Sequence, residues 1–252
     1  MDSSQDDPQS QSADDYGTDT PSSLNAFIDT ECFDHSGLNF ASTVFRELIR
    51  FAKQHKVHVV LTSVTVQEVR AHIDAAISNA EVAIERFRKE GRILRQVSTP
   101  FRTIFQEFDA AKAREDLHEQ LTVFLEDTEA VILDVNAVAP ESIFHDYFNS
   151  VPPFGSGKKK HEFPDAFSFA AICEWCRKTG ENLYVVSGDP DWKAACTQNE
   201  ALRYVDTLGH VVALLAKREA QGLADRASAL YAKNIDRVRE SIADEFRKGG
   251  FY

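Results

Sequence analysis

The sequence predicts an α/β fold: a mostly parallel sheet with helices on both faces. Short apolar, β-branched runs alternate with longer stretches of helical periodicity, the pattern of strands joined by crossover helices. Two of those runs, LNAFI and LYVVS, lead directly into an aspartate or a turn that holds one, as buried parallel strands do at the rim where ligands bind. A chain of 252 residues, 43% of them hydrophobic, is long enough to bury one such core.

The elements follow in order. Residues 1–23 hold almost no large apolar side chain, and Asp2, Asp6, Asp7, Asp14, Asp15 and Asp19 carry half of the formal net charge of −12. That segment reads as a disordered acidic tail. Leu24–Asp29 is a first strand, and Phe40–His55 a helix with Val44, Phe45, Leu48, Ile49 and Ala52 on one face. Val57–Thr62 is a second, β-branched strand. Ser63 or Thr65 can cap a long helix whose stripe runs through Val66, Val69, Ile73, Ile77, Ala80, Ile84 and Phe87 to a stop at Gly91, with Glu68 in its first turn. Residues 99–127 read as two helices entered at Pro100, Val131–Val135 as a strand, and Glu141–Asn149 as a short helix. A loop rich in Pro, Gly and Lys precedes Pro164, which suits the first turn of the helix that carries Asp165. Strands at 182–187 and 202–207 bracket a helix around Trp192 to Cys196, and Val211–Phe246 reads as a helical pair broken near Gly222. The expected division is a tail over 1–23, a domain over 24–209 and a helical extension over 210–252.

Composition removes several classes. The acidic balance argues against coating nucleic acid by bulk charge, although a local basic rim can still grip phosphates. Cys173 and Cys176 form C-E-W-C without a second pair, inside a helix, so buried reduced thiols are expected rather than a zinc or redox site. The eight histidines show neither H-x-x-x-H nor H-E-x-x-H spacing. Ser63 and Ser187 have no nearby His in sequence, and no G-x-S-x-G occurs, so no covalent nucleophile stands out. Neither a signal-peptide pattern nor an apolar run of bilayer length is present, which gives a cytoplasmic reading with no membrane partner.

The chemistry sits in the carboxylates. Asp29 and Asp189 occupy strand ends, while Glu68 and Asp165 occupy helix starts, so a parallel sheet can bring all four to one rim. Clustered carboxylates repel, and a divalent cation relieves that. Hard oxygen ligands suit Mg²⁺ or Mn²⁺, and one or two such ions can activate water against a phosphodiester. Each acid taken singly has a plainer reading: turn former for Asp29 and Asp189, helix-dipole acid for Glu68, first-turn acid for Asp165. Lys158, Lys159 and Lys160, just before Asp165, are either a phosphate-binding loop or a solvated run. A second basic stretch at Arg86, Arg88, Lys89, Arg92, Arg95 and Arg102, interleaved with Phe87 and Phe101, suits a backbone-and-stacking surface, but Glu85 and Glu90 dilute it. His72, four residues after Glu68, and His161, beside the lysines, are further candidates for the pocket.

FIDTECF (27–33), TVQEVRAH (65–72), KKKHEFPDAFSFAAI (158–172) and VVSGDPDW (185–192) resemble the successive motifs of a PIN domain, in particular the PIN-like family with a lysine-rich loop before E-F-P-D-A. The resemblance spans Leu24–Thr207. It implies a three-layer α/β/α sandwich around a mostly parallel five-stranded sheet, and a metal-dependent nuclease, acting on RNA more often than DNA, with one or two Mg²⁺ or Mn²⁺ ions. Carried over, Asp29 is the central metal ligand, Glu68 the helix-borne acid, Asp165 the acid after the lysine loop and Asp189 the acid after the fourth strand. Asp191 is a fifth metal candidate, with Glu31, Glu162 and Ser187 in the outer shell. Glu31 departs from the Asn or Ser common there. A toxin, a defence effector or an RNA-processing enzyme are candidate settings, with a homo-oligomer or an inhibitory protein as further partners. The rival enzyme is a haloacid-dehalogenase-like phosphatase, echoed by Gly188, Asp189 and Asp191 but lacking D-x-D at Asp29-Thr30-Glu31. The non-enzymatic rival is a PIN-like module that binds RNA or protein without cutting.

Overall fold

In the computed structural model, which describes residues 23–96, 105, 108–154 and 162–249, five strands form one sheet. These are β1 (Leu24–Ile28), β2 (Val57–Thr62), β3 (Val131–Leu133), β4 (Leu183–Val186) and β5 (Leu202–Val205), in the order β3-β2-β1-β4-β5. Every neighbouring pair is parallel. The acidic tail up to residue 22 and the lysine loop lie outside the described residues.

Side chains alternate across the sheet, as the pleat requires. Ala26, Ile28, Val57, Val59, Leu61, Tyr184 and Val186 join one core cluster, and Phe27, Val60, Leu183 and Val185 join another on the opposite side. The first cluster is covered by α1 (Thr30–His35), α2 (Thr43–Lys53), α3 (Ser63–Glu90), α4 (Ala110–Asp127) and the start of α8 (Leu208–Lys248). The second is covered by α6 (Phe163–Thr179) and α7 (Pro190–Cys196). Helices therefore pack on both faces, and the three-layer expectation holds. A smaller cluster joins Ile143 of α5 (Pro140–Asn149) to Phe154 and Ala166.

The six-residue helix α1 was not expected: TECFDH is too short to show periodicity. Asp29 caps it by accepting from the Thr30 N–H, and Phe33 anchors it in a ring cluster with Phe40, Phe45 and Phe124 at centroid separations of 5.3–6.0 Å. Such buried aromatic contacts fix the backbone immediately after Asp29. In α3 the cap is Thr62, which accepts from Thr65 N, so the helix starts earlier than the sequence suggested and Glu68 falls in its second turn. The third strand ends at Leu133, because Asp134 turns the chain by accepting from Asn136 N. Of the stretch 99–127, Ala110–Asp127 forms α4, and most of the residues before 108 lie outside the described ones.

The C-terminal segment is one 41-residue helix, not a broken pair. Gly222 costs about 1 kcal/mol relative to alanine inside a helix, too little to break a run flanked by good helix formers. Leu208, Val211 and Leu215 lie in the main core, so the first two turns of α8 belong to the body. A Cβ at Gly222 would meet nothing within 4 Å. Gly222→Ala is accordingly expected to stabilise α8 by about 1 kcal/mol, read as slower amide exchange around that position with the fold unchanged.

Candidate active site

Strand order reverses at β1 and β4, whose neighbours run outward to β3 and β5. Open parallel sheets bind ligands in the crevice beyond the carboxyl ends of such a strand pair. Asp29 follows β1, and Ser187, Gly188 and Asp189 follow β4.

Asp29 is only 7% exposed and is held on both oxygens. Oδ1 accepts from Thr30 N at 2.7 Å and Oδ2 from the Ser187 hydroxyl at 2.7 Å. Ser187 also accepts from Asp189 N at 3.1 Å, and Asp189 accepts from Asp191 N at 2.7 Å while capping α7. One buried hydroxyl thus ties the end of β1 to the turn after β4. Burial pushes Asp29 from 3.8 up to about 6; its two hydrogen bonds oppose this, and Glu68 and Glu31 add to it.

Glu68 reaches the same pocket from α3, accepting the Thr30 hydroxyl at 2.7 Å. Asp165, in the first turn of α6, accepts from the Trp192 indole N–H at 3.3 Å. Burial, then the charges of Asp29 and Glu68, push it from 3.8 up to about 7, with Asp189 contributing. These mutual effects bring Asp29, Glu68, Asp165 and Asp189 into one electrostatic cluster. Asp191 is also raised, by burial and then by Asp189 and Glu162, which places those two acids on the cluster's flank.

Glu31 joins from α1. Its carboxylate lies against Gly188, where a Cβ would stand 2.9 Å from both oxygens, so the site uses the missing side chain of a glycine. Oε1 is 3.5 Å from His35, and Oε2 is buried with no hydrogen-bond partner among the described residues. An orphaned carboxylate oxygen beside a buried aspartate is a place for a cation. As the side chains stand, no group of three or more His, Cys, Asp or Glu among the described residues is arranged to hold a metal ion. This donor set still fits a hard cation such as Mg²⁺, which takes one or two carboxylates directly and fills its remaining positions with water and substrate phosphate.

Other candidates are drawn elsewhere. His72 pairs with Asp34 at 2.8 Å rather than entering the cluster. Arg86 pairs with Glu90, and Arg95 stacks on Phe105, so part of the second basic stretch is spent on internal contacts. Lys158, Lys159, Lys160, His161, Phe101 and Arg102 lie outside the described residues. Cys32, beside the site, is pushed up to about 12 by burial and by Asp29 and Glu31, so it is no thiolate nucleophile. Cys173, partly buried, and Cys176, buried, are free thiols within α6. Sequence reasoning missed two residues: Thr30, whose hydroxyl orients Glu68, and Trp192, whose indole N–H reaches Asp165. The polar residue directly after the strand-end aspartate was the available signal for Thr30.

No helix among the described residues is long and apolar enough to cross a membrane. No curated protein and no solved structure matches the chain. The family model of the PIN domain matches residues 26–192, from β1 through the turn after β4 and into α7. That interval contains Asp29, Glu68, Asp165 and Asp189 and covers well over half of the chain, so the protein belongs to the PIN domain family.

Proposed function

We propose that the protein is a metal-dependent endoribonuclease that hydrolyses phosphodiester bonds at this acidic pocket. PIN domains are in general nucleases that use divalent metals. The observation that carries the reading is the burial of Asp29 among three further acids at the strand reversal, an arrangement that destabilises the empty site and favours a cation. The phosphatase alternative loses ground to the family. A purely binding module would have little reason to keep four acids in mutual repulsion.

Asp29, Glu68, Asp165 and Asp189 would hold one or two Mg²⁺ or Mn²⁺ ions, with Asp191 and Glu31 adjoining. When bound, the metal activates water and neutralises charge on the reacting phosphate. The chain's own residues orient the ligands. Ser187 and the Thr30 N–H fix both oxygens of Asp29, the Thr30 hydroxyl holds Glu68, and the Trp192 indole holds Oδ1 of Asp165. Lys158, Lys159 and Lys160, next to Asp165 in sequence, would bind substrate phosphates, and a cytoplasmic RNA would be the substrate. The folded body would run to about Leu215, with the acidic tail before it and the rest of α8 as an extension.

The test is incubation of end-labelled RNA and DNA with Mg²⁺ or Mn²⁺. Internal cuts in RNA, abolished by chelator, are expected; intact RNA with either metal would sink the proposal. Ser187→Ala should lower cleavage about 10–100-fold, as loss of a partner that orients a metal-binding carboxylate does. An unchanged rate in that variant would remove Ser187 from the machinery.

A further inference from the structure

We propose that the outer part of α8 pairs in antiparallel fashion with the same helix of a second copy of this chain. This inference is independent of the nuclease reading. Among the described residues, α8 contributes none beyond Leu215 to a core cluster, and Glu219 ties it to the body near that point by pairing with Arg50 at 3.2 Å and with Lys56. The helix nevertheless continues to Lys248.

That continuation is not a uniformly polar spacer. Leu223, Leu230, Tyr231, Val238 and Ile242 are 56, 63, 63, 40 and 52% exposed. At about 100° per residue, these five together with Ala227, Asn234 and Ile235 fall within an arc of about 140°. Every Asp, Glu, Lys and Arg from Leu223 to Asp244 lies outside that arc. An amphipathic helix whose apolar face joins no core cluster of the described residues calls for a partner.

The stripe itself identifies that partner. It is nearly palindromic about the midpoint between Asn234 and Ile235. Turning a second copy end over end sets Ala227 against Ile242, Tyr231 against Val238 and Asn234 against Ile235, each pairing occurring twice. The small Ala227 opposite the branched Ile242, and the flat Tyr231 opposite Val238, alternate large with small as a packed seam requires. Residues 223–248 hold five acids and six bases, so this stretch, unlike the acidic chain as a whole, brings no net repulsion to self-pairing.

Sedimentation equilibrium of the full chain at micromolar concentration should give twice 28.3 kDa. Tyr231→Glu combined with Val238→Glu should weaken the dimer at least about 100-fold, since it buries unpaired carboxylates in the seam. The melting temperature of the body should stay unchanged, which separates lost pairing from lost folding. For register, Asn234→Cys should form a disulfide-linked dimer on oxidation and Leu223→Cys should not, each read against the background of the wild type. A wild type that is monomeric, including one that binds a different protein through this face, overturns the proposal. So does a double variant that stays dimeric, or efficient cross-linking at position 223, which would mean a parallel pair.

Discussion

Asp165→Asn is expected to abolish cleavage while raising the melting temperature of the metal-free protein. The two effects share one cause. Asp165 is driven from 3.8 up to about 7 by burial and by Asp29 and Glu68, so its ionised form is strained at neutral pH. A displacement of that size corresponds to up to about 4 kcal/mol, which in a chain of this length is up to roughly 8–16 °C in Tm. Asparagine keeps the shape and still accepts from Trp192 through its carbonyl oxygen, so the repulsion goes and the packing stays. The reaction, however, loses an anionic ligand worth several kcal/mol in the transition state, about 10³-fold in rate. The measurement is paired: single-turnover RNA cleavage and thermal melting in chelator. A variant that is inactive and also less stable would mean that Asp165 is structural, and retained activity would remove it from the site.

Metal should stabilise the protein strongly above pH 7 and weakly well below pH 6. Asp29 and Asp165 both hold protons more tightly when folded than when unfolded, at about 6 and about 7 against 3.8. Their raised values favour the folded state below 3.8, where both states are protonated and no penalty exists. That advantage is lost as the pH rises through about 6 and about 7, where the folded chain must carry charge it resists. The metal-free protein should therefore lose stability from just above 3.8 up to about 6 and about 7, and level off beyond. A bound divalent cation reverses the loss only where the carboxylates are ionised, because protons and cation compete for the same oxygens. With metal at about a hundred times its dissociation constant, the gain is about 2.7 kcal/mol. Melting curves with and without Mn²⁺, across pH, should show the rise appear with the ionisation and vanish in Asp29→Asn. A rise equal at all pH values, or kept in that variant, would put the cation elsewhere.

Much of this was legible because strands announce their own ends. Phe27-Ile28-Asp29 and Val185-Val186-Ser187 stop being apolar where the backbone leaves the sheet, so the polar residues at those points had to face the rim. The alternation of strand and helix supplied the parallel order without further help. What stayed hidden depended on contacts between distant positions. The approach of Glu31 to Gly188 relies on a missing Cβ 157 residues away, and nothing local marks that glycine as a neighbour. The cap of α3 was misplaced because Thr62 ends a strand and starts a helix at once, and its strand role masked the other. Gly222 was read as a break because local propensity is weighed residue by residue, while the helix is held along its whole length.

The pairing of β1 with β4 joins residues near 26 to residues near 184. A ribosome making this chain releases Asp29 well before Ser187, and a sheet lacking β4 has no second wall to its crevice. Such distant pairings are also the slow ones to form. A chain that has not yet released β4 thus carries scattered carboxylates and no assembled acidic pocket. Under the proposed function, the site can act on RNA only once β4 has been made and paired with β1.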